Sequence, residues 1–288
     1  MFTSPAFLYA MVIFSWSTSW IPLTWQASAV MPEVGVMHRF IIATPLMALL
    51  AYRARHGFRF NARTHLAFVG LGICLFSTNF VLFYYGSLYV ASGLLAVAFA
   101  TASLINILLT ALKDRNRPPA IQLIASLIGL SGVGFVFYPE IAASPAGTTG
   151  LILCITGTLF FSTGNVLSQS LQKKGVPVLS SSSWGMLYAS ILLFCVNLLR
   201  GNDLAPALTL PYLGGLLWLA VFSSVLAFSC YLTLVGKIGA GKAGYVTIVF
   251  PLFALLISTA AEGYSWTASA FIGIGFVILG NILMIRAK

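Results

Sequence analysis

The chain has 288 residues, of which 59% are hydrophobic and 7% charged. A soluble domain carries roughly 25% charged residues to cover its surface, so no water-soluble packing hides this much apolar side chain, and the composition reads as that of a membrane protein. The net charge of +10 does not point to nucleic acid, because the Lys and Arg residues are spread between long charge-poor stretches, as topology determinants are.

A bilayer core about 30 Å thick takes roughly 20 apolar residues per helix. Divided at charges, prolines and glycine clusters, the chain predicts ten such helices: Ala6–Trp25, Glu33–Tyr52, His65–Tyr89, Ser92–Leu112, Pro119–Tyr138, Thr149–Leu171, Leu179–Leu199, Tyr212–Gly236, Ala240–Ala261 and Trp266–Arg286. The boundary between the third and fourth rests on Gly86 to Gly93 alone. The connections are too short for a soluble catalytic or nucleotide-binding domain, and the runs are continuously apolar rather than alternating, so spanning helices and not a barrel are expected. Cys74, Cys154, Cys195 and Cys230 fall within apolar segments without CxxC or Cys/His spacing; packing is their expected role, with no metal and no cofactor.

The charges test the helix count. With a cytoplasmic N-terminus, the cytoplasmic connections hold Arg53, Arg55, Arg59 and Arg63, then Lys113, Arg115 and Arg117, then Lys173 and Lys174, then Lys237 and Lys242, and finally Arg286 and Lys288. Arg200 alone lies on the opposite side and Arg39 lies within a helix, while Glu33, Glu140, Asp203 and Glu262 all fall outside. A wrong count scrambles this alternation, so the pattern predicts an all-α integral membrane protein with both termini cytoplasmic.

The two halves echo each other. Ser17-Thr18 matches Ser162-Thr163, Pro32 matches Pro177, Phe80 matches Phe228, and Gly132 matches Gly280. Five helices is an odd number, so a second copy inserts upside down, which predicts two inverted five-helix repeats, residues 1–139 and 149–288. The external segment Pro139–Gly150, rich in Ala, Ser, Pro and Gly, is the expected boundary.

Trp16-Ser17 in helix 1, His38-Arg39-Phe40 in helix 2, and Pro251 followed by Gly-flanked Glu262 in helix 9 resemble motifs of the drug/metabolite transporter superfamily, in its ten-helix, EamA-type branch. Nearly the whole chain is covered, and its character is most similar to the bacterial exporters of aromatic amino acids. The resemblance implies a secondary transporter of the inner or plasma membrane that exports small amphipathic metabolites by alternating access, as a monomer or weak dimer in the lipid bilayer. Two departures stand out: Ser103 occupies the place of Pro251, and Lys113-Asp114 that of Gly-Glu. A softer bend is therefore expected in the first repeat.

A transport path needs polar or aromatic groups at depth. The candidates are Trp16, Ser17 and Trp20 in helix 1, His38 and Arg39 in helix 2, Asn79 and Tyr84 in helix 3, and Thr101, Ser103 and Asn106 in helix 4. In the second half they are Ser162, Asn165 and Gln169 in helix 6, Ser223 and Tyr231 in helix 8, and Tyr245 in helix 9. Each has a plainer alternative. Ser and Thr bond back to helix carbonyls, and Trp25, Trp184, Trp218 and Trp266 read as interface anchors. Arg39 either snorkels to the external interface or serves as counter-charge to a substrate carboxylate or as a gate element. Pro22, Pro45 and Pro251 predict kinks, with Pro251 the expected hinge. Ala125, Gly129, Gly132, Gly273, Gly275 and Gly280 predict close approach of helices 5 and 10.

Every Asp and Glu lies at a helix end or in a loop, so a proton relay would lean on His38, and uncoupled or weakly coupled transport is expected alongside proton exchange. No Ser/His pair, paired Asp or HExxH motif supports an intramembrane enzyme. A carrier of phosphorylated sugars or nucleotides wants several embedded cations, and Arg39 stands alone.

Overall fold

Helix starts and stops follow local chemistry. The structure, a computed structural model, describes residues 4–117, 120–143, 145–243 and 246–286. Among these residues the regular structure is helical throughout. In chain order the helices are α1 Pro5–Ala29, α2 Pro32–Arg53, α3 Ala62–Gly86, α4 Ser92–Lys113, α5 Ala120–Ala143, α6 Pro145–Lys173, α7 Val178–Arg200, α8 Leu210–Gly239, α9 Val246–Glu262 and α10 Ala268–Arg286. Among the described residues, eight helices are long and apolar enough to cross a membrane, and α9 and α10 contain shorter apolar stretches.

Prolines 5, 32 and 211 sit in the first turns of α1, α2 and α8, where the missing N–H costs nothing. At the other end of α8, Gly239 has φ 84° and ψ 156°, a conformation open only to glycine, and this turns the chain toward α9. The predicted boundary at Pro139–Gly150 is largely helical instead: α5 continues through Pro139 to Ala143, and α6 begins at Pro145.

Four interruptions lie inside helices. In α1 the helix breaks at Thr18–Ser19, because the ring of Pro22 leaves the carbonyl of Thr18 without its donor. Hydroxyls of Thr18 and Ser19 bond back to Phe14 and Ser15 carbonyls there. In α4 the break falls at Ala100–Thr101, where Thr101 Oγ1 donates to Ala98 O at 2.7 Å. Two π-helical stretches, Gly72–Thr78 in α3 and Leu219–Leu226 in α8, widen those helices. Pro251 lies in an uninterrupted α9 and Pro45 in an uninterrupted α2. The helix interruption thus falls in α4, where the softer bend was expected, and not at Pro251, since side-chain hydroxyls compete for the α4 carbonyls.

The helices pack in pairs: α5 along α10, α2 along α7, α3 against α6, α4 against α9, and α1 against α8 and α9. The α5–α10 contact is backbone on backbone. A Cβ on Gly132 would stand 2.5 Å from Gly273 O, and one on Gly280 would stand 2.6 Å from Ala125 O. Gly275 and Gly129, also expected there, would meet nothing within 4 Å with a Cβ of their own.

Charged side chains tie the helix ends. Arg200 at the end of α7 pairs with Glu33 at the start of α2, and Tyr85 donates to the same carboxylate at 2.9 Å. Glu262 at the end of α9 caps α4: its Oε2 accepts from Ser92 N–H at 3.0 Å, Ser92 Oγ at 2.6 Å and Ser258 Oγ at 2.5 Å. At the opposite end of α4, Lys113 bonds to Ser170 of α6. A carboxylate at a helix N-terminus satisfies orphan donors and meets the positive end of the dipole. Glu262→Ala is therefore expected to lower stability by about 1–2 kcal/mol, read as a lower thermal midpoint in detergent, with Glu262→Gln intermediate.

Between these polar ends the outward helix faces carry large apolar side chains, among them Leu66, Leu127, Ile152 and Phe271, each at least 60% exposed. Such a band is a liability in water and the expected surface in lipid.

Candidate functional site

The breaks and π-stretches converge on one place. A narrow cavity of about 40 Å³ is lined by Trp16, Ser19, Trp20 and Leu23 of α1, Arg39 of α2, and Asn79, Phe80 and Phe83 of α3. Phe99 of α4, Phe161 of α6, Leu219, Ser223 and Phe228 of α8, and Phe250 of α9 complete it. Interrupted backbone is tolerated at membrane depth where it is buried in protein or lines a cavity, and π-turns gather at functional sites.

The lining is an aromatic cage. Trp20 stacks on Phe250 at 6.1 Å and 12°, and meets Phe83 and Phe99 edge-on. Trp16 contacts Phe99, Phe161, Phe228 and Phe250 edge-on and lies 4.9 Å from the ring of Tyr231. Phe80 and Phe228 face each other at 5.9 Å. The rings crowd the space, so an aromatic solute enters by exchanging ring contacts with the wall.

Arg39 is the cation of this cage. It is 1% exposed, which rules out the snorkelling alternative. Its Nε donates to Ser224 Oγ at 2.7 Å and an Nη to Ser223 Oγ at 2.9 Å, and the guanidinium lies 4.2 Å from the centroid of Phe80. The serine hydroxyls, the Tyr84 hydroxyl beside them and a ring face are all neutral, and they orient the guanidinium without cancelling its charge. Among the described residues the one carboxylate–cation pair is Arg200 with Glu33, so Arg39 has no counter-ion among them. A buried charge without one is costly, and an anion arriving in the cavity relieves that cost. The indole Nε1 of Trp20 is buried without a hydrogen-bond partner and adds a donor on the cavity-lining side chains.

The other expected site residues distribute differently. Asn79 lines the cavity, with its Nδ2 donating to Leu75 O at 2.9 Å. Ser17 is buried behind it, its Oγ donating to Phe250 O at 3.2 Å. Tyr84 is fully buried and donates to Gln26 Oε1 at 2.6 Å. Thr101 and Ser103 line a separate small void of about 10 Å³ between α4, α5 and α10. Asn165 and Tyr231 bond to each other behind Trp16. Tyr245 lies outside the described residues. His38 is not in the cavity. Its Nε2 donates to Leu204 O at 2.9 Å, so Nδ1 accepts from the Tyr212 hydroxyl at 2.6 Å, and both nitrogens are committed to the α7–α8 connection and α8.

Ser19, Ser224 and the phenylalanines at 80, 83, 99, 161, 228 and 250 were not among the expected site residues. Phenylalanine has no polar group to mark it at membrane depth, and in an apolar run it reads as lipid-facing. The match of Phe80 to Phe228 between the halves was the available signal. Among the described residues no group of three or more His, Cys, Asp and Glu side chains gathers to hold a metal.

What these elements define is a multi-pass membrane protein built around an internal aromatic cavity. The chain belongs to the EamA-like transporter family, whose profile matches residues 3–138 and 148–286. It is similar to protein PagO of Salmonella typhimurium, with 22% identity over 99% of this chain and 94% of that protein. It is also similar to an uncharacterized transporter of Archaeoglobus fulgidus, with 23% identity over 97% and 98% of the two chains. The uncharacterized inner membrane transporter YedA of Escherichia coli K12 is 25% identical over 69% of this chain and 63% of its own length. A solved crystal structure superposes with a TM-score of 0.74 at 16% identity, covering 98% of this chain and 97% of the other, a likeness of fold. The family and these names are those of transporters rather than enzymes.

Proposed function

We propose that the protein is a secondary transporter that exports small amphipathic carboxylates, aromatic and other neutral amino acids foremost, by alternating access. The observation that carries this reading is Arg39: a fully buried guanidinium without a counter-ion, set in the wall of an aromatic cage. Solute carboxylate meets Arg39 and the Trp20 indole N–H, while the solute side chain exchanges contacts with Phe83, Phe99, Phe161 and Phe250. A single cation suits a carboxylate better than a phosphate dianion, which favours amino acids over phosphorylated sugars or nucleotides.

The reading includes ten spanning helices in two inverted repeats with cytoplasmic termini. Support comes from symmetric detail. The π-stretches Gly72–Thr78 and Leu219–Leu226 and the facing rings Phe80 and Phe228 each recur 148 residues apart, allowing one residue at one π-end. The contact of Gly132 with Gly273 likewise recurs as that of Gly280 with Ala125. A contact that exchanges its partners in this way is what a two-fold relation produces. The pairs α2–α7, α4–α9 and α5–α10 map onto themselves under the same exchange. Arg200, the one cation on the external side, has Glu33 to neutralise it.

No carboxylate lines the cavity and His38 is turned away from it, so flux does not depend on a proton gradient. Purified protein in vesicles loaded with labelled phenylalanine is expected to give saturable exchange with inside and outside pH equal. Flux only under an imposed gradient would overturn the uncoupled mechanism. The same assay with glucose 6-phosphate in place of phenylalanine is expected to give none.

A further inference from the structure

Helix α6 carries a stripe that runs on past the aromatic cavity. Phe161 lines that cavity, and Asn165, Gln169 and Gln172 follow it on the same helix face, at helical spacing. Gln169 and Gln172 line a separate vestibule of about 290 Å³ at the Lys173 and Lys237 ends of α6 and α8. Asn165 lies between vestibule and cavity, and with Asn106 of α4 and Tyr231 of α8 it is completely buried.

The three side chains do not satisfy one another. Asn165 Nδ2 donates to the Tyr231 hydroxyl at 3.2 Å and to Asn106 Oδ1 at 3.4 Å. Asn165 Oδ1 remains buried without a partner, and Asn106 Nδ2 has the Tyr231 hydroxyl nearby but no bond of good geometry. Buried amides in folded proteins are nearly always paired, so a cluster that keeps one donor and one acceptor open is built against stability. Trp16 separates this cluster from Arg39, with one face toward Tyr231 and its edges in the cavity wall.

We propose that Asn106, Asn165 and Tyr231 form a second, inner solute site, which takes the zwitterionic headgroup of an amino acid before the solute passes Trp16 to Arg39. The open amide N–H complements a carboxylate oxygen, and the open amide oxygen complements an ammonium N–H. Arg39 reads the carboxylate alone; the amide pair is what distinguishes an amino acid from a simple aromatic acid. The three residues come from three helices, so parting of α4, α6 and α8 on the vestibule side opens the site. The inference rests on the carboxylate reading of the Arg39 cavity and adds the amino group to it.

The test is counterflow of labelled phenylalanine in proteoliposomes, competed by unlabelled phenylalanine or by 3-phenylpropionate, which lacks the amino group. Wild type is expected to prefer phenylalanine. Asn106→Leu/Asn165→Leu, which removes both open groups at similar volume, is expected to raise the KM for phenylalanine about 10-fold or more and to abolish the preference. Its thermal midpoint is expected to hold or rise, since orphaned polar groups are gone. The preference is a ratio and does not depend on how much protein folds, and Asn165→Leu alone supplies it if the double variant expresses poorly. Wild-type flux with an unchanged ratio in both variants would overturn the inner site and leave the Arg39 reading standing. A wild type that moves no amino acid would overturn both.

Discussion

Replacing Arg39 by methionine is expected to reduce amino-acid counterflow roughly 10- to 100-fold, the worth of hydrogen bonds to a charged group, without lowering the thermal midpoint. The two halves of this expectation come from the same geometry. Arg39 is fully buried, held by two serine hydroxyls, the Tyr84 hydroxyl and a phenylalanine face, with no carboxylate of the described residues paired to it. Removing a buried charge in favour of an apolar side chain of similar length is neutral or stabilising when no opposite charge is left behind. Ser223 and Ser224 can turn back to carbonyls of their own helix, as serines in helices commonly do. A residue that stabilises nothing and whose loss stops transport is present for the solute. Arg39→Lys keeps the charge but loses the planar fork that reaches both serines, and is expected to fall between wild type and Arg39→Met in flux.

The second large effect concerns the fold. Gly132→Leu and Gly280→Leu are each expected to cost about 1–3 kcal/mol, the range for overpacking a filled interior. At both positions the first added carbon meets backbone within 2.6 Å, and backbone cannot step aside as a side-chain tip can. Gly134→Leu and Gly275→Leu, on the same helices, are the controls: their Cβ would meet nothing within 4 Å, and little change in thermal midpoint is expected. Equal loss at all four sites would contradict the backbone-to-backbone α5–α10 contact.

The helix positions were readable because charges and apolar runs are one-dimensional signals. Predicted Ser92–Leu112 and observed Ser92–Lys113 differ by a single residue, and predicted Leu179–Leu199 sits inside Val178–Arg200. The α8–α9 turn was placed near Gly236–Ala240, and Gly239 makes it. Kinks were less readable. Proline marks a lost hydrogen bond, which breaks α1 upstream of Pro22 yet leaves α9 continuous through Pro251, while α4 breaks with no proline at all. The missing information is which carbonyls neighbouring hydroxyls capture.

The candidate site was half legible. Arg39, Trp16, Trp20, Asn79 and Ser223 were singled out by depth and line the cavity. His38 was singled out with its neighbour Arg39 and faces elsewhere, because adjacent residues on a helix point about 100° apart. The phenylalanine cage was missed since an apolar ring carries no sign of whether it meets lipid or a cavity. That distinction exists only once the helices have been arranged around it.

The central claim, that a lone buried cation in an aromatic cage reads a solute carboxylate, is tested most directly by competition. In counterflow of labelled phenylalanine, unlabelled phenylalanine is expected to compete strongly and phenethylamine, the same ring and amine without the carboxylate, only weakly. Equal competition by phenethylamine, or phenylalanine flux no greater than in protein-free vesicles, would contradict it.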